Sequence, residues 1–286
     1  MNARLLDGKS LALRLLGEAR RRALAVARRR GRRPRLAIVA AADASAGSYL
    51  KAKIKACDAA GVDAVVHLLS PGPRAKTLGL LADLAADNSA DALLIETPYP
   101  RGISAADAAA AIPADKDAEG ITPAAYGNLF LAKTWKEASG LVVPCTALAL
   151  ARLALAAGVP LAGHRAVVIG RSATVGRPAA HLLSTLDMTV TLAHTRTKGL
   201  AALCREADVL VLAAGSPGLV KTSWVKRGAV VLDAGVNIVR GHLVGDAASG
   251  VASRAGRLTP VPGGVGPVTT ACAVLNAVLL AERRTR

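Results

Sequence analysis

Aromatic side chains are nearly missing from this sequence: one Phe, two Trp and three Tyr in 286 residues, or 2%. A chain with so few flat rings has little on which nucleic-acid bases could stack. No helix-turn-helix or zinc-finger spacing appears either, which argues against a nucleic-acid-binding role despite a formal charge of +17. Cysteine is scarce as well. Cys57, Cys145, Cys204 and Cys272 form no C-x-x-C pair, so neither a structural zinc site nor a disulfide framework is indicated, and they read as small core residues. Apolar runs are short and broken by Gly, Pro or charge, well below the roughly 20 residues of a membrane span. Arg4, Asp7 and Lys9 interrupt the N-terminus before a signal-peptide core can form. The expectation is a soluble, cytoplasmic protein with no membrane and no nucleic-acid partner.

What is present is ample apolar material, 52% of the chain, enough for two globular lobes at this length. Basic residues outnumber acidic ones 37 to 20. Many lie in "ARRRALAVARRRGRRPR", residues 19–35, at helical spacing with Ala, Leu and Val, which reads as a solvated helix face. Such a field also suits an anionic small molecule.

The order of elements sets the fold class. "RLAIVAA" (35–41) reads as a buried strand, "SYLKAKIKACDAAG" as a helix ending at Gly61, and "DAVVHLL" as a strand. "TLGLLADLAADN" and "DALLIETP" add a helix and a strand, giving β-α-β-α-β with a parallel sheet. A second alternation begins after "GLVVPCTALALARLALAAGVPLAG", with the runs "RAVVIG", "GRPAAHLLSTL", "TVTLAHT", "GLAALCREA", "DVLVLAAG" and "GAVVLDAG". The reading is α/β with two α/β lobes, at 1–140 and 141–267, the second of Rossmann type.

Within the second lobe, "VVIGRSATVGRP" turns from a strand ending at Gly170 into a helix near Pro178, a residue suited to a first turn. Amides at a helix N-terminus attract pyrophosphate. The spacing is not G-x-G-x-x-G, so a plain strand-to-helix turn competes with a dinucleotide site. The next strand favours the site: "TVTLAHTRT" ends in His194, Thr195, Arg196 and Thr197 without the acid that NAD sites place on the ribose. An arginine there suits the 2′-phosphate of NADP.

Tyr49 and Lys53 stand four apart, on one helix face. Short-chain dehydrogenases also use Tyr-x-x-x-Lys, but there the cofactor turn comes first, whereas here it lies about 120 residues later in the chain. Taken alone, the pair reads as an edge tyrosine and a solvated lysine.

The segments "SYLKAKIKACDAAG", "LLIETPYP", "DKDAEGITPAAYGNL", "VPCTALALARLAL", "VVIGRSATVGRPAAHLL", "LAHTRT", "DAGVN" and "TPVPGGVGPVTTA" occur in the order seen in the bifunctional methylenetetrahydrofolate dehydrogenase/cyclohydrolase family. The chain resembles that family from about Asp7 to about Leu280. The resemblance implies an active site in the cleft between the lobes and a C-terminal helix, 268–286, that completes the first lobe. It also implies a homodimer formed through the cofactor lobe. The implied activity is NADP-dependent oxidation of 5,10-methylenetetrahydrofolate, then hydrolysis to 10-formyltetrahydrofolate.

Residue by residue, the resemblance implies that Lys53 is the catalytic lysine and Tyr49 lines the folate pocket. Pro262, Gly263 and Gly264 border folate and nicotinamide. Gly170, Arg171, Ser172, Val175 and Gly176 form the cofactor turn, Thr195 and Arg196 the 2′-phosphate region, and Asp233, Gly235 and Asn237 a strand end beside the nicotinamide. Two departures fall in the implied folate pocket. Where the family reads V-Q-L-P-L-P this chain has "IETPYP", bringing Glu96 and Thr97; where it reads K-D-V-D-G this chain has "KDAEG", bringing Glu119. Glu119 keeps a carboxylate able to accept two hydrogen bonds from a pterin edge, one methylene further out. Glu96 beside Lys53 would favour the ammonium form and oppose its use as a base, so the cyclohydrolase step is expected to suffer more than hydride transfer. Glu96 is thus a catalytic candidate with Lys53 and Tyr49. Alternatives are a folate- or NADP-binding protein without turnover, a related pterin carrier as substrate, and a basic RNA-binding role.

Overall fold

The computed structural model describes residues 3–42 and 47–285. In chain order its elements are β1 Arg4–Leu5, α1 Gly8–Arg30, β2 Arg35–Ala41, α2 Gly47–Ala60, β3 Asp63–Leu69, α3 Arg74–Ala86, β4 Ala92–Ile95, α4 Ala105–Ala111, α5 Pro123–Leu131, α6 Trp135–Ala138 and α7 Cys145–Ala156. There follow β5 Arg165–Ile169, α8 Gly176–Ser184, β6 Thr189–Ala193, α9 Leu200–Glu206, β7 Val209–Leu212, β8 Val230–Asp233, β9 Asn237–Val239, β10 His242–Val244, β11 Arg257–Leu258 and α10 Val265–Arg283. They divide into two compact units: Leu13–Gly127 with Thr270–Arg286, and Met1–Ala12 with Asn128–Thr269.

The first unit holds a three-stranded parallel sheet in the order β3-β2-β4. The central strand β2 is apolar because both of its faces are covered, which is what a parallel sheet requires. Some of the charge in this unit is buried in pairs. Asp91, fully buried, accepts from Arg30 at 2.6 Å, from Arg32 at 2.8 and 2.9 Å, and from the Arg35 amide at 2.8 Å. Burial alone would raise its carboxyl, but the Arg32 and Arg30 hydrogen bonds outweigh that and hold it below the ordinary value. Arg22 grips Glu282 of α10 bidentately, at 2.9 and 2.6 Å. Part of the arginine cluster is therefore not the solvated face that the sequence suggests. Its acidic partners lie far along the chain, where spacing gives no hint of them. Lys116, also buried, gathers the Leu84, Ala85 and Asp87 carbonyls that the end of α3 leaves open.

The second unit holds six strands in the order β1-β11-β8-β7-β5-β6, all pairings parallel. β1 and β11 have two residues each, too short to show a period in the sequence. β9 and β10 form a separate antiparallel ribbon. All four cysteines are buried and unbridged. One expectation needs correcting. α10 has 19 residues and a mean hydropathy of 1.5 over its best window, long and apolar enough for a span by length and composition alone. Gly266, Pro267 and Asn276 made the run look broken, yet they do not offset its Ala, Val and Leu. Most of the helix is buried within the fold, as a core helix would be.

Candidate functional site

In the first unit the site is built where β2 and β4 end. The Glu96 amide donates to the Val39 carbonyl at 2.8 Å, fixing the residue after β4 against the neighbouring strand. α2 follows β2 in the chain and carries Lys53 on its second turn. The Lys53 ammonium donates to both Glu96 oxygens, at 2.7 and 2.5 Å, with the side chains only 11% and 4% exposed. This is the contact on which the sequence argument about Glu96 depended. Tyr49, one turn earlier on α2, is 41% exposed.

The "KDAEG" segment is tied to the same sheet. The Leu93 amide donates to the Lys116 carbonyl at 2.7 Å and the Ala118 amide to the Leu93 carbonyl at 3.1 Å. Asp117, fully buried, accepts from the Gly120 and Thr122 amides at 2.8 and 2.7 Å and so fixes the turn that carries Glu119. Burial pushes the Glu119 carboxyl up to about 7; Lys53 pulls it back, while Glu96 and Asp117 push it further. A carboxyl titrating near neutrality can donate as well as accept a hydrogen bond. Tyr99 and Tyr126 complete the group. Burial raises both hydroxyls, Tyr126 to about 12, with Glu119 and Asp117 adding to the effect. Sequence reasoning passed over Asp117, Tyr99 and Tyr126. The only available signal was that all three tyrosines of the chain fall in this unit. Thr97 is exposed beside Glu96.

The other predicted residues belong to the second unit. A Cβ on Gly170 (φ 120°) would lie 2.1 Å from the Ala213 carbonyl oxygen, and one on Gly176 would lie 1.9 Å from the Gly170 oxygen. Only glycine lets the β5 turn close on itself and on the end of β7. Ser172 Oγ accepts from the Val175 and Gly176 amides at 3.2 and 3.3 Å, so the hydroxyl occupies two of the amides expected to meet a phosphate. Arg171, Arg177, Thr195 and Arg196 are exposed around these turns, and the turn after β6 carries no acid. That turn is closed by the His194 amide on Thr197 Oγ1 at 2.8 Å and the Arg196 amide on His194 Nδ1 at 3.2 Å. Cations without an acid, beside a glycine turn with no room for side chains, fit a phosphorylated dinucleotide.

Pro262 is exposed, and the Gly263 carbonyl accepts from the Gly8 amide at 3.1 Å. A Cβ on Gly8 would lie 1.7 Å from the Gly264 oxygen, so the proline–glycine loop rests directly on the N-terminal segment. Asn237 donates to the Asp246 carboxylate at 2.9 Å and to the Val244 carbonyl at 3.3 Å. Its amide is thus held inside the unit. Among the described residues no cluster of His, Cys, Asp and Glu suits a metal ion.

Strand order and turn chemistry fit a nicotinamide-nucleotide-dependent α/β enzyme. Residues 6–119 match the family profile "Tetrahydrofolate dehydrogenase/cyclohydrolase, catalytic domain", and residues 144–285 match "Tetrahydrofolate dehydrogenase/cyclohydrolase, NAD(P)-binding domain". The bifunctional protein FolD of Parafrankia sp. is 43% identical, covering 96% of this chain and 98% of that one. The protein of the same name from Sorangium cellulosum is 40% identical, over 99% of each. Among solved structures, a silkworm (Bombyx mori) 5,10-methylenetetrahydrofolate dehydrogenase superposes with a TM-score of 0.90 at 34% identity, over 99% of both chains. The Trypanosoma brucei dehydrogenase-cyclohydrolase, complexed with NADP cofactor and inhibitor, gives 0.91 at 33% identity, over 100% of this chain and 99% of that one. The chain belongs to the tetrahydrofolate dehydrogenase/cyclohydrolase family. Its activities are NADP-dependent methylenetetrahydrofolate dehydrogenase and methenyltetrahydrofolate cyclohydrolase.

Proposed function

We propose that Lys53 moves the proton in the hydrolytic step, that Glu96 governs how freely it does so, and that Tyr49 and Glu119 hold the folate. NADP, when bound, accepts the hydride from the methylene carbon. The work of the chain is to orient that carbon and to move protons afterwards. Lys53 is a strong donor with three N–H groups, and when water adds to the methenyl cation a nearby amine can take up and return a proton. Tyr49 supplies a flat face with a polar tip. Glu119, turned inward by the Asp117-capped turn, faces pterin N–H groups with a carboxyl that either accepts or donates near neutral pH.

Gly170, Arg171 and Ser172 would hold the pyrophosphate side of NADP, with Val175 and Gly176 shaping that turn through their amides on Ser172 Oγ, and Thr195 and Arg196 would hold its 2′-phosphate. The observation that carries the reading is the pair of turns after β5 and β6, glycine-closed and cationic with no acid. The test is a steady-state assay with methylenetetrahydrofolate and either NADP or NAD, following reduced cofactor and methenyl absorbance separately. Reduced cofactor must accumulate faster with NADP; equal rates, or none, overturn the assignment.

A second reading concerns the balance of the two activities. Because both Glu96 oxygens already engage Lys53, the lysine is less free for proton transfer, and hydrolysis is the slower of the two reactions in this protein. Accumulation of methenyl product in the same assay would support it. A cytoplasmic homodimer belongs to this reading as well. The β9–β10 ribbon supports a dimer, since Val236, Ile238 and Val239 are 61%, 80% and 40% exposed on a segment with unpaired strand edges.

A further inference from the structure

We infer that Asp246 is the positioning residue for the cofactor side of the reaction, fixing the Ala214–Ser216 loop after β7 with its carboxylate; this rests on the NADP assignment above. The loop leaves the carboxyl end of β7 with the sequence A-A-G-S-P-G, and Ala214 and Gly215 are exposed. Such a segment has little side-chain packing to hold it. Asp246, fully buried, supplies the hold instead. Its Oδ2 accepts from the Ala214 amide at 2.7 Å and the Gly215 amide at 3.0 Å. Its Oδ1 accepts from the Ser216 amide at 2.8 Å and from Asn237 Nδ2 at 2.9 Å. Three consecutive amides and a side-chain amide thus converge on one carboxylate, and hydrogen bonds to a charged acceptor are the strong kind.

Asp246 is held in turn. Its own amide donates to Asp233 Oδ1 at 3.0 Å, and the same carboxylate accepts from the Gly235 amide and the Ala247 amide, both at 2.9 Å. Asp233 ends β8, and Thr259 Oγ1 accepts its amide at 2.7 Å. The frame runs from the sheet through two buried carboxylates to the exposed loop. Two glycines make room for it. A Cβ on Gly245 would lie 2.0 Å from Asp233 Oδ2, and one on Gly235 would lie 2.5 Å from Asp246 Oδ1.

The loop lies where a cofactor belongs. β6 lies on one side of β5 and β7 on the other, so the strand order reverses between β5 and β7. In open parallel sheets the ligand crevice lies outside the carboxyl ends at such a point. There the β7 end touches the cofactor turn: the Ala213 oxygen is the atom a side chain on Gly170 would strike. A shift of Ala214–Ser216 would change one wall of that crevice and leave the three-stranded unit as it is.

The experiment compares Asp246→Asn with the unmodified full-length chain. Asparagine keeps the shape but turns an N–H pair toward backbone N–H groups. Calorimetric titration with NADP is expected to show at least a tenfold weaker Kd, and the dehydrogenase a raised KM for NADP with a smaller change in kcat. Hydrolysis of supplied methenyltetrahydrofolate, which consumes no NADP, is expected to stay within about twofold. Unchanged NADP affinity, or parallel loss of both activities, would overturn the inference. Should Asp246→Asn fail to fold, Ser216→Pro removes a single donor from the same carboxylate, and a several-fold weaker NADP Kd is expected; no change there overturns it too. An unmodified chain that does not bind NADP would refute the cofactor assignment itself, an outcome visible before any variant is made.

Discussion

The two units bury carboxylates in different ways. In the three-stranded unit two buried carboxylates meet cations, Asp91 holding Arg30 and Arg32 and Glu96 holding Lys53, while Asp117 is met by the Gly120 and Thr122 amides. In the six-stranded unit Asp233 and Asp246 are met by backbone amides and by Asn237. A carboxylate among amides is a fixed acceptor that shapes a loop. A carboxylate paired with a side-chain cation is adjustable, because the partner can exchange a proton or be drawn to a substrate. On the proposed assignment, the amide-held carboxylates of the six-stranded unit steady a surface for the cofactor, while the Lys53–Glu96 pair of the three-stranded unit serves proton chemistry.

The sharpest test of that contrast is Lys53→Met, which keeps the stem but removes the exchangeable proton. Cyclohydrolase activity should fall by about 100-fold or more, the range general acid–base groups supply. NADP affinity should hold, while the melting temperature falls because Glu96 is left buried without its cation. Undiminished conversion of methenyl to formyl product removes Lys53 from the mechanism.

Asp91→Ala should have the next largest effect, on stability alone. It leaves two partly buried guanidinium groups without their partner, at a cost of about 3 kcal/mol, measured by denaturant unfolding. The pH dependence has a definite sign. A carboxyl held low in the folded state contributes stability that is present above its unfolded value, near 3.9, and is lost as pH falls through the folded value. The variant should therefore lose less stability than the parent on acidification below pH 4. An equal acid response in both would show that Asp91 is not the titrating group.

Arg196→Ala probes the fixed side of the comparison. NADP binding should weaken about tenfold, as one lost charge-assisted contact implies, with little change for NAD. Equal losses for the two cofactors would place the 2′-phosphate elsewhere.

The sequence makes parts of both sites legible. The apolar run at 35–41 coincides with β2, because a strand buried on both faces must be apolar throughout, whereas β3 at 63–69 is an edge strand with no buried residue and was legible from its Val and Leu content. The glycine turn and the bare end of β6 were readable because a fixed backbone shape demands particular residues. Asp246 was not. Its partners are three backbone amides, which any sequence supplies, and the Asn237 side chain nine residues away, a spacing that marks no motif. Nor could spacing pair Asp91 with Arg30 and Arg32, about 60 residues away in the chain.

The smallest effect, and the one that best separates two accounts of the adjustable unit, is expected from Glu96→Gln. The Lys53 ammonium donates to both Glu96 oxygens at 2.7 and 2.5 Å, with little solvent to screen the pair. That pairing ties the lysine side chain to Glu96 at the end of β4. Glutamine retains one acceptor oxygen and the side-chain length but removes the charge, so the lysine keeps its place with a weaker hold. Cyclohydrolase rate near neutral pH should then rise severalfold, because the lysine is less tightly held, while hydride transfer, which needs positioning rather than a base, changes less. If Glu96 is instead the group that takes the proton, with Lys53 serving only to steady it, the same substitution lowers the rate. Glu119 sets the control. Its carboxyl titrates at about 7 and senses both Lys53 and Glu96, so loss of the Glu96 charge should let it ionise at lower pH, whichever residue is the base. A pH–rate profile of Glu96→Gln read beside that of the double variant with Glu119→Gln separates this indirect shift from the direct one. A rise that persists in the double variant assigns the restraint to the Lys53–Glu96 pair, and a fall in both assigns the proton transfer to Glu96.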